Sequence, residues 1–386
     1  MSAGLTAEGG IDITVTSDGN RIVDIAIANS RPLGLPSRLA GLTPDAAVGR
    51  IVSLFSVCRI AQGLAGSMAV EQALGIDPGP SQRAARSLLL RGEIALDHAT
   101  SALLVWPVLL GKRPTALHIL KSLRASLADL WICLYPDGDW MRPGGGRLEP
   151  DNSALMARLD AAEAAIQEAH LAVPLDTASW QNWVRAATGP AAELFNLLEQ
   201  KGWEGYGATD VKLLSALDPT ALERHLAADT DASFVAQPEW EGEPRETGPL
   251  ARQINHPLVS AVVAQHGRGL AARFLAQCVE TTRCLVEMRG LAHEIYEDRN
   301  SPAPKGDGVG LGLVEASRGW LAHRVEIADG LIRRYQILAP TEWNFHPSGA
   351  LAGGLIEGNP CQSPERLARL LVTALDPCVP YRIEMR

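Results

Sequence analysis

The sequence predicts an α+β protein that is mostly α-helical, with a helical core and small β-hairpins near the N-terminus and in the C-terminal third. Three observations lead to this fold class. Apolar and polar residues alternate on both sides of a turn sequence at residues 18–20 and again at residues 329–330, as in β-hairpins. Apolar residues recur at helical spacing between these two regions. Finally, 46% of the 386 residues are hydrophobic, which is enough to bury a core.

The N-terminal part of the chain carries clear start and stop signals. The first hairpin is predicted to pair residues 11–15 with residues 22–27. A helix is then predicted over residues 44–74, because Thr43 is a suitable N-cap and a proline follows at the first helical position. Gly75 is expected to end this helix.

The middle of the chain is predicted to be helical with two irregular segments. Helical spacing predicts further helices over residues 81–110, 114–134, 151–171, 188–201, 209–227 and 257–295. Residues 135–149 are rich in proline and glycine and are predicted to form a loop. The acidic segment 228–256 has no clear period, so we interpret it as a surface excursion of a single domain that spans residues 1–386.

The C-terminal third is predicted to hold the second hairpin and a last helix. Residues 323–328 pair with residues 331–338 across an Asp-Gly turn. An amphipathic helix is predicted over residues 363–375.

The glycine-rich stretch at residues 306–312 does not match a phosphate-binding loop. Its spacing fits neither G-x-G-x-x-G nor G-x-x-x-x-G-K-[ST], and no clear strand precedes it. It also lacks a helix start that would present backbone N–H groups to a phosphate. We therefore predict that these glycines allow close packing of the backbone, and we expect no nucleotide cofactor.

Charge and hydropathy exclude several classes of partner. The chain has 35 Lys and Arg residues against 44 Asp and Glu residues and no basic stripe interleaved with aromatics, so nucleic acid is not an expected partner. No apolar run approaches the ~18 to 20 residues of a membrane span. The first residues lack the pattern of a secretory signal. We predict no membrane insertion and a cytoplasmic location.

The cysteines and histidines do not form a familiar motif. No C-x-x-C pair, H-E-x-x-H pair or G-x-S-x-G elbow occurs, which argues against zinc sites and serine hydrolases. The six cysteines are Cys58, Cys133, Cys278, Cys284, Cys361 and Cys378. Most of them are expected to be small buried apolar residues.

A set of short motifs in fixed order nevertheless stands out. They are Glu8-Gly9-Gly10, Cys58-Arg59-Ile60-Ala61-Gln62-Gly63-Leu64-Ala65, Leu96-Asp97-His98, Glu315-Ala316-Ser317-Arg318-Gly319, Ala339-Pro340-Thr341-Glu342-Trp343-Asn344 and Asp376-Pro377-Cys378. Together they resemble the signatures R-I-E-G-H, C-G-x-C-x-x-A-H-A-L-A, L-H-D-H, E-A-P-R-G, V-P-T-T-W-N and D-P-C-x-x-C-x-x-H of the large subunit of nickel-iron hydrogenases. The resemblance implies a fold like that of this large subunit.

The sequence departs from that family at its metal ligands. Phe55 and Tyr381 stand where the family has cysteines, and Glu384 stands where it has the final histidine, so only Cys58 and Cys378 remain of four thiolates. A nickel-iron centre requires all four, because thiolates are the soft ligands that suit these metals. We therefore expect no nickel, no hydrogen oxidation or evolution, and no other catalysed reaction.

This depleted cysteine set is similar to that of the HupK-type hydrogenase expression/formation proteins. The resemblance implies a non-enzymatic scaffold or chaperone in maturation of a nickel-iron hydrogenase, which transiently holds an Fe(CN)2(CO) unit or assists its delivery to the large subunit. It implies a small β-barrel maturation chaperone and hydrogenase subunits as partners. The alternative is a metal-free interaction protein that mimics the large subunit in order to bind maturation chaperones.

The ligand count allows the iron unit but leaves its geometry open. Fe(CN)2(CO) already has three strong-field ligands, so two thiolates complete a five-coordinate iron. By resemblance, Cys58 occupies a bridging position and Cys378 a terminal position on nickel, while Tyr381 replaces the second bridge. Either Cys378 moves towards iron, or Tyr381 binds as a phenolate, or no iron binds and both cysteines pack in a core.

The resemblance also implies a set of residues around the cargo. Arg318 would face the cyanides, Thr341 would donate to a cyanide nitrogen, and Pro340 would be the apolar neighbour of carbon monoxide. Glu8 would be a proton-gating acid and Asp97 an acid of the canopy over the metal. We expect Cys58 and Cys378 to face one another across a buried pocket, with Arg318 and Thr341 on its wall.

Each of these residues also has an ordinary structural explanation. Arg318 could pair with Glu315 or Asp307 at the surface, and Thr341 could cap a turn. Similarly, the glutamate of the first motif could flank a strand, and Asp97 could form a salt bridge within its own helix.

The last motif predicts a C-terminus that is never trimmed. In the resembled family, removal of a tail follows nickel insertion, and here one thiol and the final histidine of that motif are missing. The last segment should therefore pack at once, with Leu371, Leu375 and Cys378 directed inward and Arg382 and Arg386 in solvent. Intact-mass spectrometry would detect a shortened chain.

Overall fold

The structure combines many helices with three small sheets. It is a computed structural model that describes residues 9–18, 21–30, 34, 36–55, 57–174, 176–186, 188–299, 302–356 and 363–386. The strands are β1 (Ile11–Ser17), β2 (Ile22–Asn29), β3 (Lys212–Leu213), β4 (Arg245–Glu246), β5 (Val309–Ala316), β6 (Gly319–Ala328), β7 (Leu331–Leu338) and β8 (Tyr381–Met385). The α-helices are α1 (Pro44–Leu54), α2 (Arg59–Leu74), α3 (Pro80–Thr100), α4 (Trp106–Leu109), α5 (Leu117–Leu127), α6 (Asn152–Glu168), α7 (Thr177–Ala186), α8 (Pro190–Lys201), α9 (Pro219–Ala228), α10 (Ser233–Ala236), α11 (Pro249–Gln253), α12 (Pro257–His266), α13 (Leu270–Ala292), α14 (Pro340–Asn344), α15 (Ala350–Ile356) and α16 (Pro364–Leu375). The predicted mostly helical α+β class is confirmed.

The N-terminal hairpin gains a third strand from the other end of the chain. β1 pairs with β2 in antiparallel fashion, and Ile11, Ile13 and Val15 are buried, as their alternation predicts. β8 lies parallel to β1 on its other side, with Tyr381 opposite Ile11. The sequence does not predict this strand, because its pairing partner is at the opposite end of the chain.

The predicted helix over residues 44–74 is two helices. Thr43 caps α1, and Gly75 ends α2 with a φ of 64°, as expected. The chain leaves the helix at Phe55 and re-enters it after Cys58, where φ is −122° and ψ is 48°. Phe55 is buried among apolar residues of α1, α2 and β7, so the break is packed against the core.

The next four predicted helices are present with small differences. The prediction over residues 81–110 corresponds to α3, a π-helical segment Ser101–Val105 and α4. The prediction over residues 114–134 corresponds to α5 and a 3-10 turn at Leu130–Cys133. The following two predictions correspond to α6 and α8.

The remaining helix predictions are partly wrong. Only the second half of residues 209–227 is helical, because Asp218 caps a helix that begins at Pro219. The prediction over residues 257–295 is split into α12 and α13, since Gly267 ends α12 with a φ of 73°. Helix α7 was not predicted.

The interpretation of residues 228–256 as a surface excursion is wrong for the second half of that segment. Arg245, Glu246 and Thr247 are buried. The Glu246 carboxylate accepts hydrogen bonds of 2.8 Å from both Nε and Nη2 of Arg273 in α13. An acidic composition is typical of surfaces, but a buried carboxylate is tolerated where an arginine pairs with it.

The second predicted hairpin is confirmed and belongs to the sheet β5-β6-β7. Asp329 and Gly330 form its turn, both with positive φ. The glycine-rich stretch supplies β5, which packs against α2. A Cβ added to Gly310 or Gly312 would lie 1.9 Å from a carbonyl oxygen of α2, which confirms the predicted close backbone packing.

Most of the C-terminal segment packs as expected, but Cys378 is only half-buried, because it lies in the irregular segment after α16 and not on the inner face of that helix. Leu371 and Leu375 in α16 are buried, whereas the side chains of Arg382 and Arg386 are mostly exposed. Trimming of the chain stays a prediction. In the part of the chain that the structure describes, every helix is too short or too polar to cross a bilayer.

Candidate functional site

Five residues named by the motifs meet on one side of the helical core. They come from the start of α2, the end of α3, the β5–β6 turn, α14 and the segment after α16, and they are Cys58, Asp97, Arg318, Thr341 and Cys378. Their meeting point is the guanidinium of Arg318, which bonds to Asp97 and interacts electrostatically with both thiols.

Arg318 is held between two carboxylates. Its Nη1 lies 3.0 Å from Asp97 Oδ2, and its Nη2 lies 3.1 Å from Asp376 Oδ2. Ser317 Oγ donates to Asp97 Oδ2 at 2.7 Å and accepts from Arg318 Nη1 at 3.1 Å. Burial alone would lower the pKa of Arg318, but the two carboxylates outweigh it and raise the pKa, so this group is a permanent buried cation.

This geometry excludes two of the ordinary structural explanations given for these side chains. The surface pairing of Arg318 with Glu315 or Asp307 is wrong, because its side chain is only 11% exposed and bonds elsewhere. Asp97 pairs with a distant turn instead of forming a salt bridge within its helix. Thr341 is buried, and its Oγ1 lies 3.1 Å from Cys378 Sγ.

The two remaining candidate residues are Pro340 and Glu8. Pro340 is buried at the first position of α14, where its fixed φ suits the start of a helix. Glu8 lies outside the described residues.

Asp376 was not singled out from the sequence, although it begins the last motif. It ends α16 in the left-handed conformation, with a φ of 48°. This turn directs its carboxylate to Arg318 and carries Cys378 to Thr341. Burial raises the pKa of Asp376, and Arg318 opposes the rise.

Cys58 is a half-buried residue, and its sulfur has one side-chain donor. Burial raises the pKa of the Cys58 thiol, and the neighbouring Cys378 raises it further. Gln62 Nε2, one turn along α2, donates to Cys58 Sγ at 3.7 Å. A raised pKa favours the protonated thiol, so a metal must compete with the proton for this sulfur.

Glu93 is a residue of the site that none of the motifs contains. Its carboxylate accepts the backbone N–H groups of Ile60 at 2.7 Å and Ala61 at 2.9 Å, and so caps the start of α2 beside Cys58. Glu93 and Asp97 line one cavity of about 170 Å³. The spacing of four residues to Asp97 puts both on one helix face, which is the signal that could have identified Glu93.

Replacing Glu93 with glutamine should flatten the pH dependence of stability. Burial and then Asp97 raise the pKa of Glu93 from 4.5 to about 8. Protonated Glu93 therefore contributes to the stability of the folded chain. The contribution is complete below the pKa that Glu93 has in the unfolded chain, and it is lost as the pH rises through the pKa of Glu93 in the folded chain. Glutamine does not titrate but keeps an acceptor for the α2 backbone. Urea unfolding is measured at about pH 5 and about pH 8. Between these two pH values the wild type should lose more unfolding free energy than Glu93→Gln; equal losses in the two proteins would contradict the prediction.

The two positions that have lost their cysteines are ordinary parts of the fold. Phe55 is 7% exposed and contributes to an apolar cluster, and Tyr381 begins β8 as a half-buried residue. Within the described ranges, no three His, Cys, Asp or Glu side chains are grouped closely enough to hold a metal ion. A bare metal ion would therefore lack donors from these side chains.

Comparison with known proteins places this geometry in a family. Residues 199–380, which include Arg318, Thr341 and Cys378, match the family model described as nickel-dependent hydrogenase. The Ni-Fe-Se hydrogenase from D. vulgaris Hildenborough is similar in structure, with a TM-score of 0.67 over 94% of each chain at 18% identity. That likeness confirms the predicted large-subunit fold.

Two curated relatives match over nearly their whole length. The hydrogenase expression/formation protein HupV of Azotobacter chroococcum mcd 1 is 30% identical over 95% of this chain and 94% of its own. The hydrogenase expression/formation protein HupK of Rhizobium leguminosarum bv. viciae is 29% identical over 99% of this chain and 98% of its own. This chain therefore belongs to the family of hydrogenase expression/formation proteins that includes HupK and HupV.

Proposed function

We propose that this chain acts in the formation of a nickel-iron hydrogenase as a non-enzymatic scaffold, which transiently holds an Fe(CN)2(CO) unit between Cys58 and Cys378. The relatives are named for hydrogenase expression and formation. The observation that carries the proposal is that both retained thiols lie beside one buried guanidinium, Arg318, in a fold otherwise like that of the catalytic subunit.

The donor set suits a cargo that brings most of its own ligands. The iron unit needs only two protein thiolates, whereas a bare ion needs more donors than the described side chains group together. The cyanides carry negative charge, which Arg318 can neutralise. Thr341 has a hydroxyl 3.1 Å from Cys378 Sγ, where it can donate to the sulfur or to a ligand beside it.

The properties of the thiols favour release of the cargo. Burial raises the pKa of the Cys58 thiol, so protons compete strongly with metal for its sulfur. Two thiolates also give fewer bonds to break than the four of a complete nickel-iron centre. A scaffold with these ligands would pass its cargo on instead of retaining it.

The partners follow from this role and are part of the proposal. The iron unit must reach the chain from a maturation chaperone, for which we propose the small β-barrel type, and must leave it for the hydrogenase large subunit. We propose a cytoplasmic location for both transfers.

Infrared spectroscopy of anaerobically purified protein tests the proposal directly. The chain is co-produced with its maturation partners, and the region of nitrile and carbonyl stretches is recorded. Bands from both ligands that disappear in the Cys58→Ser variant are the expected result. If the chain copurifies with maturation chaperones but carries no such bands, the scaffold role is wrong and the metal-free interaction protein is the better description.

A further inference from the structure

A chain of hydrogen bonds through three buried side chains ends at the Cys58 sulfur. Tyr335 Oη lies 2.8 Å from His323 Nδ1, and His323 Nε2 lies 2.8 Å from Gln62 Oε1. Gln62 Nε2 then donates to Cys58 Sγ at 3.7 Å. The three residues come from β7, β6 and α2, so this chain of hydrogen bonds connects the sheet β5-β6-β7 to the candidate site.

The chemistry of these groups determines which atom donates in each hydrogen bond. An amide oxygen can only accept, so His323 Nε2 must carry the proton that Gln62 Oε1 accepts. In a neutral imidazole the other nitrogen is then an acceptor, and the Tyr335 hydroxyl donates to it. With its oxygen occupied, Gln62 presents its N–H group to the sulfur. Every donor in the chain therefore points towards Cys58.

The hydrogen-bonded groups are buried, so these bonds must be kept. Gln62 is 1% exposed and His323 is 0% exposed, so a broken bond would leave an unpaired buried polar group. The His323 and Tyr335 rings also meet edge to face at 5.6 Å between centroids. Gly66 lies one turn beyond Gln62, where a Cβ would approach Tyr335 Oη to 3.2 Å.

We propose that Gln62, oriented by His323 and Tyr335, is a positioning residue that donates a hydrogen bond to the Cys58 thiolate and thereby limits how strongly this sulfur binds the cargo. A hydrogen bond to a thiolate stabilises the free anion and withdraws electron density from the sulfur. The sulfur then donates less to iron, and the cargo leaves more easily. The effect on cargo rests on the proposed function, whereas the hydrogen bond to Cys58 does not.

The first measurement uses the metal-free chain. Gln62→Met keeps the length and apolar stem of the side chain but removes the N–H donor. We expect Cys58 to react with iodoacetamide several-fold more slowly in this variant, because less of its thiolate is present. Tyr335→Phe leaves the amide in place but removes the donor behind His323, so we expect a smaller decrease in the same direction. The rate is followed by mass spectrometry of the peptide that contains Cys58.

A residue on the same helix provides the matched control. Gln72 in α2 accepts from the backbone N–H of Leu311 and has no bond to Cys58. Gln72→Met should leave the reaction rate of Cys58 unchanged. Unchanged rates in both Gln62→Met and Tyr335→Phe, with thermal unfolding like that of the wild type, would overturn the proposed hydrogen bond to the thiolate.

The second measurement concerns the cargo. In loaded Gln62→Met protein the carbonyl stretch should move to lower frequency, because a stronger sulfur donor increases back-donation from iron to carbon monoxide. A loaded variant with the wild-type carbonyl frequency would overturn the effect on cargo binding. Absence of bands in wild type and variant alike would instead refute the proposed function, and a slower Cys58 reaction would still establish the hydrogen bond.

Discussion

The Cys58→Ser and Cys378→Ser variants should each purify without a bound iron unit, although their fold should be almost intact. Serine is nearly isosteric with cysteine, so little cavity forms, but a hydroxyl is a poor ligand for a soft metal centre. We expect loss of the nitrile and carbonyl bands in either variant, with unfolding free energies within about 1 kcal/mol of the wild type. The measurements are infrared spectroscopy of co-produced protein and urea unfolding of the same samples.

A buried cysteine elsewhere in the chain provides the control for this experiment. Cys133 lies in the 3-10 turn after α5 and is not part of the group around Arg318. Cys133→Ser should keep the bands, because it changes a buried thiol without touching the proposed ligands. If Cys58→Ser and Cys378→Ser both load iron and support hydrogenase maturation like the wild type, the two thiols are only core packing.

The sequence predicts those elements whose signals are local. The Asp329-Gly330 pair determines its hairpin turn through two positive φ angles, and Thr43 and Gly75 cap their helices through bonds within a few residues. Strand β8 depends instead on β1, which lies at the other end of the chain. The buried carboxylate of Glu246 similarly depends on Arg273 in another element. Neither long-range pairing is visible in the local pattern.

The same distinction holds at the candidate site. The motifs identify Cys58, Asp97, Arg318, Thr341 and Cys378, and the structure brings these residues together. The residues that orient them were not identified, because their roles arise from contacts across the fold. Glu93 caps the helix that follows Cys58, and His323 fixes the amide of Gln62 from a strand far along the chain.

Phe55 stands where the resemblance implies a cysteine, and it packs as an ordinary part of the fold. Phe55 occupies the helix break before Cys58, and its ring fills an apolar cluster with Ile51 and Tyr335. Tyr335 also begins the hydrogen-bond chain to Gln62. Phe55 and Tyr335 therefore belong to one apolar cluster, and Tyr335 also supports the hydrogen-bond donor to Cys58.

Replacing Gly312 with alanine should destabilise the fold strongly and disturb the start of α2. The added Cβ would lie 1.9 Å from the carbonyl oxygen of Ala65 and 2.8 Å from the backbone nitrogen of Ala69. Both contacts are with backbone, so strand β5 and helix α2 must move apart and lose packing along their contact. We expect a loss of about 3 kcal/mol or more of unfolding free energy, together with altered reactivity of Cys58.

Gly290→Ala is the matched control for this substitution. Gly290 is an exposed residue within α13, and a Cβ there meets nothing within 4 Å. Alanine at this position should stabilise the chain by up to about 1 kcal/mol, because glycine is the poorer helix former. Urea unfolding of both variants separates the steric effect from the general effect of a glycine-to-alanine change. Unfolding of Gly312→Ala at the same urea concentration as Gly290→Ala would contradict the prediction. In that case β5 does not pack against α2 as closely as the structure shows, and α2, which carries Gln62 and begins after Cys58, must be supported by other contacts.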